Sequence, residues 1–299
     1  MSDATSSPPV RLGAFIGGLA VALTAGYLIG KVAPNDPAQP AAHNHGGTKT
    51  TAASPGGGHD HTAPAVTGFA ISQDGYTLVP ARTTFTAGET APLSFTIAGP
   101  TGKPVTDFAV KHEKKLHLLV VRRDLTGYQH IHPVLGEAGR WEVPLTLREP
   151  GSYRMFADFT TGSTELTLGA DLTVPGVVTP QPLPAPAREA KPGGHDVTYE
   201  GTPRAGSTQP LLFRVFASGS PITNIEKYLG AYGHLIVLRE GDAGYVHAHA
   251  ETDLAGGAIK FWFAAPSPGR YRAFLDYQVG GTVRTAEFTM QVGPGPATG

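Results

Sequence analysis

The stretch HLLVVRRDLTGYQHIH (residues 117–132) recurs as HLIVLREGDAGYVHAH (residues 234–249), with all three histidines in the same places. In each copy, the second histidine lies 13 positions after the first, and the third follows two positions later. The likeness extends outward to a Pro-Leu-x-Phe motif before each stretch and a Gly-x-Tyr-Arg-x-Phe-x-Asp motif after it. Internal duplication explains a shared order and spacing of this kind. The motifs begin at Pro92 and Pro210, and at Gly151 and Gly269.

Each copy is predicted to be β-structure. Short runs rich in β-branched and aromatic residues alternate with turn residues, as at 124–127 and 241–244. About 100 residues with several such strands suit an immunoglobulin-like sandwich. The predicted fold is mainly β, with two tandem immunoglobulin-like β-sandwich domains after one N-terminal transmembrane helix. The predicted strands are Ala91–Ile97, Leu116–Arg122, Trp141–Leu147, Tyr153–Phe159, Leu211–Phe216, His234–Leu238, Ile259–Phe263 and Tyr271–Tyr277.

The N-terminal segment Leu12–Gly30 carries no charge and lies between Arg11 and Lys31. At about 1.5 Å per residue, it is just long enough to cross a bilayer as a helix. A cleavable signal peptide is the alternative, but the following Lys31–Pro34 is a poor cleavage site. We therefore predict an uncleaved single-pass anchor in the cell membrane, with the C-terminal domains on the extracytoplasmic side.

Composition divides the rest of the chain. A tether at 31–64, rich in Pro, Gly and His, is predicted to be disordered, and a Pro-rich linker at 176–193 separates the two copies. The tether histidines are either a weak metal-capturing group or part of a polar linker. The predicted segments are a short tail (1–11), the helix (12–30), the tether (31–64), domain 1 (65–175), the linker (176–193), domain 2 (194–293) and a flexible C-terminus (294–299).

Several function classes are disfavoured. The formal net charge is −1, so the chain lacks the basic excess typical of nucleic-acid-binding proteins. Cysteine is absent, which excludes disulfides, thiolate metal sites and a blue-copper centre. No nucleophile elbow, phosphate-binding loop, dinucleotide fingerprint or His-Glu-x-x-His motif occurs, so we predict no enzymatic activity.

The repeated histidines are the candidate functional residues. Alternate residues of a strand share a face, so His130 lies beside His132. A turn at 124–127 would place His130 opposite Val121 and bring His117 diagonally next to His132. We therefore predict that His117, His130 and His132 converge, as do His234, His247 and His249 in the second copy.

Three imidazoles on a rigid hairpin suit Cu²⁺ or Zn²⁺. His112 is the candidate fourth ligand in the first copy, provided that the chain bends at 114–115. Asp158 and Asp276 are either ordinary residues at strand ends, carboxylate ligands, or partners that orient a ligating imidazole. The alternative is that the histidines are structural and form a hydrogen-bonded network or a partner-facing surface.

Three motifs of the first copy resemble those of exported bacterial proteins of largely uncharacterised role. They are His-Glu-Lys-x-Leu-His-Leu (112–118), Tyr-x-His-x-His-Pro (128–133) and the Gly-x-Tyr-x-x-x-x-Asp-Phe stretch (151–159). Such proteins are similar to periplasmic copper- and heavy-metal-associated domains, and the resemblance implies a small exported β-domain that handles metal. The second copy lacks the His-Glu-Lys element and the proline.

Together these features predict a membrane-anchored extracytoplasmic protein that binds a divalent metal ion, copper or zinc, for buffering or delivery. The alternative is a membrane-tethered immunoglobulin-like module that binds a protein partner, whose identity the sequence does not indicate.

Overall fold

Antiparallel strands dominate the computed structural model, which describes residues 66–295. The predicted N-terminal tail, membrane helix and tether lie outside the described residues, as does most of the predicted C-terminal tail. Within residues 66–295, no helix is long and apolar enough to span a membrane. The mainly β fold with two tandem sandwich repeats is confirmed, and a strand lies at each of the eight predicted places.

The first repeat contains ten strands and one 3₁₀ turn, Glu137–Gly139. The strands are β1 (Val66–Thr67), β2 (Ser72–Gln73), β3 (Tyr76–Pro80), β4 (Thr90–Ala98), β5 (Leu116–Arg122), β6 (Gln129–Ile131), β7 (Val134–Leu135), β8 (Arg140–Thr146), β9 (Gly151–Thr161) and β10 (Thr164–Val174).

Two sheets of the first repeat pack face to face. One has the order β2-β3-β4-β8-β7 and the other β10-β9-β5-β6. Alternate strand residues point between the sheets, where Trp141 packs against Phe95 and Phe108. The turn before β9 is held by the Tyr153 hydroxyl, which donates to the Glu149 carbonyl at 2.8 Å.

The second repeat has nine strands in the same general arrangement. They are β11 (Glu189–Ala190), β12 (Asp196–Glu200), β13 (Gln209–Ala217), β14 (Ser220–Pro221), β15 (His234–Arg239), β16 (Tyr245–Ala250), β17 (Ile259–Phe263), β18 (Gly269–Val279) and β19 (Thr282–Val292).

Strand β16 joins the two sheets of the second repeat into one continuous sheet. Its first half, Tyr245–His247, pairs with β15, and its second half, Ala248–Ala250, pairs with β17. The strand order is therefore β11-β12-β13-β17-β16-β15-β18-β19, folded around the repeat's own core. The corresponding part of the first repeat is split into β6 and β7, which belong to different sheets.

The two repeats also share a third apolar core. Leu119, Val121 and Phe156 of the first repeat pack with residues of β15, β16 and β18. The short strand β1 pairs with β16, with Val66 opposite Val246. The predicted linker at 176–193 also contacts the first repeat, because the backbone N–H of Gln181 donates to the Asp124 carboxylate at 2.9 Å. Each repeat thus has its own core, and a common core holds them face to face.

Candidate metal centre

Three histidines of the first repeat converge. His117 lies on β5, His130 on β6, and His132 directly after β6. His117 Nδ1 is 3.0 Å from His130 Nε2 and 3.2 Å from His132 Nε2. All three ring nitrogens lie within 4.8 Å of one another, and no other group of three or more such ligands is found within residues 66–295.

The strand register differs from the predicted one by two residues. His130 pairs with Leu119 rather than Val121, and Leu118 pairs with Ile131, which puts His117 opposite His132. The shift arises because six residues, 123–128, connect β5 to β6 instead of four. A shift of two keeps each side chain on its face, so the predicted grouping is preserved.

Hydrogen bonds on the outer side of the cluster determine the tautomers. The Nε2 of His117 lies 3.1 Å from the Lys111 carbonyl oxygen, which only accepts, so this nitrogen carries the proton. His130 Nδ1 lies 2.9 Å from an Asp276 carboxylate oxygen and donates to it. In its neutral form each ring therefore presents an unprotonated nitrogen towards the centre of the cluster, which is the form that coordinates a metal.

Burial favours the neutral forms of His117 and His132. It lowers the pKa of His117 to about 3 and that of His132 to about 4, and neighbouring His130 contributes to both shifts. A neutral imidazole is the ligating form. The ligating form of these two rings is therefore maintained to a lower pH than the 6.5 of a free imidazole.

His112 lies beside the cluster but outside it. The chain reverses at His112 and Glu113, both with positive φ (46° and 60°), and not at 114–115, where a bend was the condition for His112 to be a fourth ligand. The turn is closed by hydrogen bonds between Lys111 and Lys114. The exposed His112 ring is 6.1 Å from the His117 ring and closer, at 5.1 Å, to the His234 ring.

The histidines of the second repeat do not form an equivalent trio. His234 donates from Nε2 to the Tyr228 carbonyl at 2.9 Å, and its ring lies 6.0 Å from that of His130. β16 leaves β15 after His247, so His249 pairs with Trp262 of β17 instead of lying opposite His234. The convergence predicted for His234, His247 and His249 is therefore wrong.

Sequence reasoning did not connect Asp276 with the histidines of the first repeat. This buried aspartate of β18 accepts hydrogen bonds from His130, from the Tyr128 hydroxyl at 3.2 Å and from Thr285 Oγ1 at 2.6 Å. One sequence signal for a contact between the repeats was available. The unbroken apolar runs 118–121 and 235–238 are typical of strands with both faces covered, and both runs are buried.

A cavity of about 550 Å³ lies between the repeats, next to the cluster. Its lining includes His117, His130, His234 and His247, together with Lys111 and Glu165, which form an ion pair. The histidines of both copies thus line one space, although only those of the first repeat converge.

A family profile for a domain of unknown function, DUF8832, matches the chain twice, over residues 71–176 and 190–294. The chain belongs to this family. No curated protein sequence matches it. The family description assigns no role, so the likeness to copper- and heavy-metal-associated domains stays a prediction.

Two bacterial proteins, one of them described as an adhesin (FdeC), are among the similar solved structures. FdeC of Escherichia coli is 15% identical, with 74% of this chain and 65% of that chain covered and a TM-score of 0.27. InvD of Yersinia pseudotuberculosis is 14% identical, with coverages of 76% and 61% and a TM-score of 0.26. The chain thus spans less than two thirds of the length of either structure.

The two DUF8832 repeats face each other in a nearly symmetrical way. Tyr128 stacks on Phe274 with ring centroids 4.0 Å apart, and the corresponding Phe156 and Tyr245 are 6.1 Å apart. The symmetry breaks at the aspartates. Asp276 bonds His130 directly, whereas the hydroxyl of Thr167 lies 3.3 Å from both His247 Nε2 and an oxygen of Asp158.

Proposed function

We propose that the chain binds one divalent transition-metal ion, Cu²⁺ or Zn²⁺, through His117, His130 and His132. The supporting observation is the inward convergence of ring nitrogens, while the outer nitrogens of His117 and His130 donate their protons to the Lys111 carbonyl and the Asp276 carboxylate. Zn–N bonds of about 2.0–2.1 Å in a tetrahedron separate ligand nitrogens by about 3.3 Å. The two separations from His117 Nδ1, 3.0 and 3.2 Å, are close to that value, and all three ligand nitrogens lie within 4.8 Å of one another.

Metal buffering or delivery suits such a site. Three protein ligands leave a coordination position for water or for a ligand from a donor or acceptor molecule. The adjacent cavity gives access from one side. The four tether histidines, His43, His45, His59 and His61, would supply a second, weaker group of ligands on the same chain.

A protein-interaction module with structural histidines is the second candidate. It is favoured by the hydrogen bond between His130 and Asp276, which joins the two repeats at a buried place. In the metal-free protein, His132 Nε2 can also donate to His117 Nδ1, so these two rings are held together by a hydrogen bond. Metal uptake by purified protein distinguishes the two candidates.

The test uses the full chain with the four tether histidines changed to Asn, so that the tether contributes no ligands. We expect one Zn²⁺ or Cu²⁺ per chain after equilibrium dialysis and elemental analysis. His130→Ala with His132→Ala should abolish this uptake while leaving the circular dichroism spectrum unchanged.

The matched control is His247→Ala with His249→Ala, which removes the same positions of the second repeat. We expect this variant to keep its one ion. Equal uptake by both double variants, or no uptake by the parent chain, would favour the structural histidines instead.

A further inference from the structure

Asp276 reaches from the second repeat to a histidine of the first. Its carboxylate is 2.9 Å from His130 Nδ1, and the two side chains are 4% and 5% exposed. We propose that Asp276 is a positioning residue for the metal site and that a bound ion therefore fastens the two repeats together. This inference rests on the proposed metal binding at His117, His130 and His132.

The chemistry of a ligating imidazole supports this role. When Nε2 binds a metal, the Nδ1 proton needs an acceptor, and a carboxylate both orients the ring and makes the ligating nitrogen more basic. Asp276 occupies that position for His130, whereas a backbone carbonyl does so for His117. Of the two outer acceptors, only Asp276 comes from the other repeat.

The remaining partners of Asp276 support the same conclusion. They are the hydroxyls of Tyr128 and Thr285, and within residues 66–295 Asp276 forms no ion pair with a lysine or arginine. A dication bound at His130 Nε2 would bring positive charge close to this buried carboxyl group, where an unpaired charge is costly.

The position of the bond links metal binding to the packing of the repeats. His130 and Asp276 are 146 residues apart and meet only because β5 and β9 pack on β15 and β18 through the shared core. If docking strengthens metal binding, the metal must strengthen docking by the same factor. An ion held entirely by side chains of the first repeat would thus protect strand β18 of the second.

Asp158 provides a matched control. It occupies in β9 the place that Asp276 occupies in β18, and Thr167 stands beside it as Thr285 stands beside Asp276. Thr167 donates to Asp158 at 3.3 Å. Asp158 is the strand partner of His117, but within the described part of the chain its carboxyl group forms no hydrogen bond with the rings of the three clustered histidines. Replacing this carboxyl group should leave the site intact.

The experiment compares Asp276→Asn and Asp158→Asn in the full chain lacking the tether histidines. Zn²⁺ affinity is measured by competition with a chromophoric chelator, and the coordination geometry by the visible spectrum of bound Co²⁺. We expect Asp276→Asn to weaken Zn²⁺ binding by about 10- to 100-fold and to change the Co²⁺ spectrum. Asp158→Asn should stay within about twofold of the parent.

Hydrogen exchange provides the second readout. Zn²⁺ should slow exchange in Gly269–Val279 of the parent and of Asp158→Asn, but not of Asp276→Asn. If Asp276→Asn does not fold, Thr285→Val replaces it, with Thr167→Val as its control, and the same direction of change is expected. Parental Zn²⁺ affinity in Asp276→Asn or Thr285→Val would overturn the inference, while absence of Zn²⁺ binding by the parent would overturn the proposed function itself.

Discussion

Phe274→Ala should destabilise the first repeat, although Phe274 belongs to the second. The Phe274 ring is fully buried and stacks on Tyr128 at a centroid distance of 4.0 Å and an angle of 8°. Replacing a buried phenylalanine by alanine costs about 3–5 kcal/mol. With a urea dependence of about 3 kcal/mol per molar, the unfolding midpoint should fall by about 1–1.7 M.

The chain contains its own reporters of each repeat. Trp141 lies in the core of the first repeat, Trp262 lies on strand β17 of the second, and there are two tryptophans in all. In a Trp262→Phe background, fluorescence reports the unfolding of the first repeat alone. Val283→Ala, at a position that is 39% exposed in the second repeat, is the control and should leave the midpoint unchanged.

The reasoning requires that the shared core couples the two repeats. If Phe274→Ala leaves the Trp141 transition where it was, the repeats unfold independently, and the packing of Leu119, Val121 and Phe156 against the second repeat contributes nothing measurable to stability.

Three further predictions concern stability. Burial lowers the pKa of His234 to about 4, so below pH 6.5 this residue takes up a proton in the unfolded chain but stays neutral in the folded chain. Between pH 7.5 and 5.0, the free energy of unfolding of the metal-free protein should therefore fall by about 2 kcal/mol through this residue. Equal urea midpoints at the two pH values would contradict this. Tyr153→Phe and Tyr271→Phe each remove a 2.8 Å hydrogen bond from the tyrosine hydroxyl to a backbone carbonyl four residues earlier. Each change should lower the free energy of unfolding, measured by thermal unfolding, by about 1 kcal/mol. No change in either variant would show that the hydrogen bond is dispensable. A Cβ on Gly169 would lie 2.0 Å from the Gly68 carbonyl oxygen. Gly169→Ala should therefore lower the free energy of unfolding by about 1–3 kcal/mol and make residues 66–70 sensitive to protease. The control Gly293→Ala, at a position with open space around it, should behave like the parent.

The repeat, the mainly β class and the shared face of His130 and His132 were all predictable from the sequence. They depend on local rules: residue composition, turn residues and the two-residue period of a strand. The period also explains why the error in register was harmless, because a shift of two residues returns every side chain to the same face.

The second trio shows where these local rules end. His234, His247 and His249 repeat the spacing of the first copy, yet β16 changes partner after His247, and the group does not form. Strand pairing is decided by packing over the whole repeat, and the spacing of three residues carries no information about that packing.

The amino-acid sequence by itself determined the places of eight of the strands and which neighbouring histidines share a face. Only the tertiary structure decided that the repeats dock, that Asp276 of one repeat meets His130 of the other, and that His112 lies closer to His234 than to His117. The physical reason is the distance along the chain over which each interaction acts. Strand periodicity acts between neighbouring residues, whereas these contacts join positions more than a hundred residues apart, which meet because two apolar sheet faces are buried against each other.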